Sequence, residues 1–132
     1  MLLKRAVRIF CVVPIATGTL DLVLGAAVLR RAGADIPDSL TTDPVVNNQI
    51  GFWGAIWFGF GVLLWQTSAD LRMNAKTFQT LGGIVVASGA ARAMMMVRYG
   101  SPGAIMTGAM ALELVVMPAL LAAHRVSLKR AP

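Results

Sequence analysis

QIGFWGAIWFGFGVLLWQ, from Gln49 to Gln66, runs for eighteen residues without a single charged side chain. A helix rises about 1.5 Å per residue, so a stretch of roughly 20 apolar residues crosses about 30 Å of hydrocarbon. The glycines in this run make no phosphate loop: no strand pattern precedes them and no lysine follows. Trp53, Trp57 and Trp65 fit the aromatic belt that sits where hydrocarbon meets headgroups.

Three further runs of this kind surround it. They extend from Val7 to Leu29, from Thr77 to Val97 and from Gly103 to Ala123. Between the first and second lies a solvated connection with Gly33, Pro37, Pro44 and the acids Asp35, Asp38 and Asp43. Ser68 to Lys76 is a short polar hinge, and Tyr99-Gly100-Ser101-Pro102 is a tight turn. The pattern predicts an all-α integral membrane protein, an antiparallel four-helix bundle. It forms one domain over 1–132, with spans of about 7–29, 49–66, 77–97 and 103–123.

Composition agrees. The chain is 57% hydrophobic and 14% charged, with a mean hydropathy of +0.70. Soluble domains hold about 45–50% apolar and about 25% charged residues, and here the excess is concentrated in the long runs. Four spans with short connections leave no room for a second domain. The first run competes with a secretory signal peptide, since Lys4 and Arg5 precede it and Ala32-Gly33-Ala34 resembles a cleavage site. It is too long for a signal core, and Arg30-Arg31 follow as a stop, so an uncleaved span is expected. The single cysteine, Cys11, excludes an intrachain disulfide.

A net charge of +6 invites a nucleic-acid reading, but the positions of the cations oppose it. Lys4, Arg5, Arg8, Arg72, Lys76, Arg125, Lys129 and Arg130 all flank apolar runs, where insertion rules and lipid headgroups account for them. The N-terminal flank, the second connection and the C-terminal flank hold eight cations (three, two and three). The other two connections hold Arg30, Arg31 and Arg98. The positive-inside rule then puts both termini in the cytoplasm.

Small residues recur at four-residue spacing: Ala55 and Gly59, then Gly83, Ala87 and Ala91, then Gly103, Thr107 and Ala111. Such stripes let helix backbones approach in lipid, so they are expected to hold the bundle together. Pro14 and Pro118 are expected to kink the first and fourth helices.

Three ionisable residues fall inside the runs: Asp21, Arg92 and Glu113. Each costs at least about 2.5 kcal/mol near a helix centre, so the three should face one another, water or a partner. Side chains lean toward their own helix N-terminus, which brings Arg92 and Glu113 together from antiparallel helices. An Arg92–Glu113 ion pair is therefore expected, with Asp21 as a second acceptor for the guanidinium fork. Ser88 and Met96 share the face of Arg92, and Ala109 and Met117 that of Glu113, so a pocket and a dry structural clasp are both open readings. Asn47, Asn48 and Gln49 open the second run. They read as helix caps or, facing the outer side, as an entrance above Arg92. His124 beside Arg125 reads as a cation complementing a helix C-terminus. No metal site and no cofactor is expected.

NNQIGFWGAIWFGFGVLLW (47–65), GGIVVASGAARAMMMVRYGSP (82–102) and the glutamate of MALELVV (110–116) carry a resemblance. The chain resembles a bacterial group of small four-helix membrane proteins, the domain-of-unknown-function 4345 family. The resemblance covers most of the chain and implies a fold and a multi-pass location in the bacterial inner (plasma) membrane, without an activity.

With no Ser/His, Cys/His or metal-ligand constellation, the sequence offers no enzymatic signature beyond Glu113 as a lone acid/base. The expected function is an accessory or scaffold subunit of a larger membrane complex. The alternative is a binding or transport module for a small amphiphile or ion, built on Asp21, Arg92 and Glu113. Expected partners are membrane lipid and other membrane subunits or a second copy, with no nucleic acid.

Overall fold

Helix α1 (Leu2–Leu24) runs unbroken through Pro14 and stops where the backbone turns left-handed at Gly25, with φ of +52°. Only glycine adopts that conformation without strain, and a Cβ there would strike the Asn47 side chain. The computed structural model in which this is seen describes residues 2–129; Arg130, counted above among the flanking cations, lies outside them. Two short helices follow, α2 (Ala27–Arg31) and α3 (Asp38–Thr42), tied by an ion pair between Arg30 and Asp38.

Helix α4 (Pro44–Thr67) starts five residues before the apolar run does. Asp43 supplies the cap, its carboxylate accepting from the Val45 and Val46 N–H groups at 2.8 and 2.9 Å, and Pro44 occupies the first turn. The expected caps Asn47, Asn48 and Gln49 therefore lie inside the helix. The early start also moves Trp53 and Trp57 toward mid-helix. Trp57 stacks on Phe60 against the core, and of the three tryptophans only Trp65 holds a helix end, beneath the Arg8 guanidinium.

Helix α5 (Ala75–Tyr99) is closed by Gly100. The last helical stretch, Ala104–Lys129, is continuous but not uniform: α6 (Ala104–Ala111), a π-helical turn (Leu112–Val116) and α7 (Met117–Lys129). Pro118 explains the turn. It has no N–H for the Leu114 carbonyl, and its ring crowds that oxygen, so the backbone widens and Met117 N–H reaches back five residues to the Leu112 carbonyl.

The long helices pack as two pairs, α1 on α4 and α5 on α6–α7. Glycines set the closeness. A Cβ on Gly18 would stand 2.5 Å from the Phe58 nitrogen and 2.7 Å from the Gly54 carbonyl oxygen, both rigid backbone. Gly61 meets Ile15 in the same way, and Gly82 and Gly89 receive Leu121 and Leu114 from the fourth helix. Two of the three stripes expected to do this work face outward instead, while Gly103 and Thr107 of the third are half-buried. Ala55, Gly59, Gly83, Ala87 and Ala91 are exposed, and nothing lies within 4 Å of a Cβ built on Gly59 or Gly83. Four-residue spacing occurs on more than one face of a glycine-rich helix. The packed face is the one whose glycines meet bulky partners, at the seven-residue spacings Gly54/Gly61 and Gly82/Gly89.

The two pairs join through one core of Val7, Phe10, Cys11, Leu64, Phe78, Leu81, Val85, Met117 and Leu120. It occupies the half of the bundle nearest the 68–74 turn. Polar bonds seal that end. Lys4 Nζ donates to the Ala69 carbonyl at 2.8 Å, and Arg8 Nε donates to the Ser68 hydroxyl at 3.3 Å. The turn is braced by Asp70, whose carboxyl is held below the usual range by the Met73 and Arg72 backbone N–H groups it accepts from. His124 does not stand at the helix terminus as expected. The helix continues to Lys129, and the imidazole is buried edge-on to Phe78 with Nε2 2.8 Å from the Leu71 carbonyl, so Nε2–H is the donor.

Among the described residues, four helices are long and apolar enough to cross a membrane. Only 17–28% of each apolar window is buried by the rest of the chain, while Ile9, Val23 and Val115 stand well exposed. That much outward apolar surface suits hydrocarbon and not water. Gly18→Ala is expected to lower unfolding stability in detergent by about 1–3 kcal/mol, since the added carbon meets backbone that cannot yield. Gly83→Ala should leave it unchanged or slightly raised. Equal effects from the two substitutions would contradict the packing described.

Candidate functional site

The inward faces of α1 and α5 begin apolar and end charged. On α1 the face runs Val7, Phe10, Cys11, Pro14, Gly18 and then, three residues on, Asp21. On α5 it runs Phe78, Leu81, Gly82, Val85, Gly89 and then, three residues on, Arg92. Spacings of three and four keep each set on one side of its helix. Both charges thus point the way the core points, but beyond the core's end.

Glu113 reaches the same level from the fourth helix, inside the π-helical turn. The wider turn re-aims its side chain toward α5, where Gly89 leaves room: a Cβ on Gly89 would stand 2.8 Å from the Glu113 Cβ. Gly54 does the same for Asp21 across the other pair, its would-be Cβ lying 2.7 Å from the Asp21 Cβ. Each acid is seated against a glycine of the neighbouring helix.

The expected Arg92–Glu113 pair is present. Arg92 Nε donates to Glu113 Oε1 at 3.2 Å, and Oε2 lies 3.1 Å from the same nitrogen but off the N–H direction, so it accepts no hydrogen bond. Ser88 sits beside the carboxylate, yet its hydroxyl hydrogen goes to the Val85 carbonyl at 2.8 Å. The pair is lopsided in burial: the Glu113 side chain is 6% exposed and that of Arg92 is 43%. Because Nε holds the glutamate, the end-on edge of the guanidinium, Nη1 and Nη2, points away from it. The contact described for that edge is Nη1 with the Met106 sulfur at 3.8 Å.

Asp21 is not the second acceptor expected for the fork. It is half-buried and feels the Arg92 charge across a gap, but among the described residues no hydrogen bond or ion pair reaches its carboxylate. The reason is the architecture. The helix pairs touch through α1 with α7 and α4 with α5, whereas α6 and the π-helical turn pack on α5. Asp21 therefore stands on the α1–α4 pair and Arg92–Glu113 on the α5–α6 pair.

Asn47 is committed elsewhere. Its Oδ1 accepts from Ala26 N–H at 2.9 Å, and its Nδ2 donates to the Thr41 and Asp43 carbonyls at 3.0 and 2.8 Å. It closes the broken end of α1 onto α4. Asn48 and Gln49 are exposed on the first turns of α4. A separate recess of about 300 Å³ opens at the opposite end, among Lys4, Asp70, Arg72 and Ser127.

Two features of the centre escaped the sequence reading, the π-helical turn and the glycine seats. Pro118 five residues after Glu113 and Gly89 three before Arg92 were the available signals. Chemically, the centre offers the Nη edge of Arg92, an Asp21 carboxylate with no hydrogen bond or ion pair among the described residues, and a buried glutamate.

A family model described as a domain of unknown function, DUF4345, matches residues 2–124, and the chain belongs to that family. No curated protein and no solved structure matches it. Arg92→Met is expected to cost about 2–4 kcal/mol of unfolding stability, because it strands a buried glutamate charge. The double variant Arg92→Met/Glu113→Leu should recover most of that loss. A double variant as unstable as the single one would show that the arginine acts by packing rather than by pairing.

Proposed function

We propose that this DUF4345 protein is a multi-pass component of a bacterial inner membrane that binds the polar head of an amphiphile at its centre of Asp21, Arg92 and Glu113. The observation that carries the reading is the half-open Arg92. It is anchored by Nε to a buried glutamate while its side chain stays 43% exposed, and the contact of its Nη edge is with the Met106 sulfur. A charge kept only as an internal clasp is stable when all its donors are satisfied, since each unpaired donor in a low-dielectric setting costs free energy. An amphiphile would bring the missing acceptor, and the apolar helix faces around it would take its chain. Met96 and Met106 on the inward faces suit a variable occupant, because methionine repacks easily.

Orientation follows from charge. The cations of the N-terminal flank, the 68–74 turn and the end of α7 gather at one end, and this supports both termini in the cytoplasm by the positive-inside rule. The Asp21, Arg92 and Glu113 centre then lies toward the outer leaflet. A cysteine placed at Asp35 should react with a membrane-impermeant maleimide in intact cells, and one placed at Met73 should react only after permeabilisation. The reverse labelling would invert the topology.

A second reading, an accessory subunit of a larger complex, draws support from the outward stripe Gly83-Ala87-Ala91, a surface on which a partner helix could pack closely. One experiment separates the two. Native mass spectrometry of gently extracted protein should find retained lipid-sized mass that Arg92→Met removes and Gly83→Leu does not. A co-purifying protein lost in Gly83→Leu, with no Arg92-dependent lipid, would favour the subunit reading and defeat the binding one.

A further inference from the structure

At the end of the bundle away from Asp21, Arg92 and Glu113, three segments enclose a recess of about 300 Å³. The first turn of α1, the connection from Ser68 to Arg72 and the last turns of α7 line it. Its base is well fixed. The buried His124 ring packs edge-on to Phe78 and holds the Leu71 carbonyl through Nε2, and buried Ser68 accepts from Arg8 Nε.

The lining carries charge. Lys4 spends one of its three N–H donors on the Ala69 carbonyl, which anchors the ammonium at the recess. Arg72 brings a second cation, and both act through space on Asp70, whose carboxylate is held by two backbone N–H groups. Two cations against one anion leave the lining one positive charge in excess. A singly charged phosphodiester matches that excess. A doubly charged phosphomonoester would press a further negative charge toward Asp70, and a zwitterionic head would bring a cation that Lys4 and Arg72 oppose.

Apolar side chains stand beside these charges. Half-buried Leu3, Leu71 and Leu128 complete the lining, at the end of helices long and apolar enough to cross a membrane. The recess thus lies at the depth where a lipid's phosphate meets its glycerol backbone and first methylenes. Charge next to leucine at that depth suits a lipid better than a soluble phosphate.

We infer that this recess seats the phosphodiester of an anionic phospholipid of the phosphatidylglycerol class, with Lys4 and Arg72 as its cationic contacts. Asp70 limits the occupant to one negative charge. The site stands apart from the centre at Arg92 and does not rest on the function proposed for it.

Delipidated full-length protein in a non-ionic detergent is titrated with short-chain phosphatidylglycerol, phosphatidylethanolamine and phosphatidylcholine, and bound lipid is read by native mass spectrometry. Wild type should retain phosphatidylglycerol about fivefold better than either zwitterionic lipid. Lys4→Gln and Arg72→Gln should each lower that retention about fivefold, with circular dichroism confirming the helical fold. Asp70→Asn keeps an oxygen for the two backbone N–H groups and removes the opposing charge, so it should raise retention about threefold. A role of these residues in folding alone predicts no such rise. Arg31→Gln, which removes the same charge at the other end of the bundle, and Arg92→Met should leave the preference unchanged. Equal losses from Arg31→Gln and Arg72→Gln would reduce the effect to general surface charge and overturn the inference. Displacement of the lipid by millimolar inorganic phosphate would reassign the recess to a soluble anion and overturn it as well.

Discussion

A buried carboxylate is stabilised by a neighbouring cation, and in this protein that cation is Arg92. The far half of the bundle is arranged around that demand. Glu113 is brought to the arginine by a π-helical turn that Pro118 imposes two residues after the turn ends. Gly89 vacates the volume that the glutamate side chain enters. Arg92 meets it with Nε rather than with the fork. Those three local facts, a proline, a glycine and a choice of nitrogen, decide which part of the guanidinium is left turned away from the glutamate.

The near half is organised by a different economy. Close backbone approach and internal polar bonds hold it together. Gly18 against Phe58 and Gly54 locks the first pair, and Gly82 and Gly89 admit leucines to lock the second. The pairs are then sewn at one end by the apolar core, by His124 on the Leu71 carbonyl and by Lys4 on the Ala69 carbonyl. The bulky inward residues stop short of the other end: on α1 they give way to Gly18 and Asp21, on α5 to Gly89 and Arg92.

Such an arrangement couples a stable base to an adaptable head. The base contains most of the buried side chains and the braced 68–74 turn. The head contains the charges, the accommodating methionines and the break in α1 at Gly25, where Asn47 replaces lost helix bonds with side-chain ones. A binding function located in the head would not require the core to loosen. This separation agrees with the proposal that the amphiphile is taken up at the charged centre.

Much of the fold was legible in the sequence, because the hydrocarbon thickness converts directly into run length. The four apolar runs, the turns between them and the inward placing of three costly charges all follow from local composition. The Arg92–Glu113 pair was legible for the same reason, since helix direction and side-chain lean bring those two residues together. Other features were not. The packed glycine faces could not be told from the exposed ones, since four-residue spacing appears on several sides of the same helix. Asp43 rather than the amide cluster caps α4, because a proline following an acid starts a helix ahead of any apolar signal. That Asp21 forms no ion pair with Arg92 depends on how the two helix pairs meet through residues far apart in the chain, which no local pattern reports. Periodicity reports which face a residue occupies; only the packed structure decides what stands opposite it.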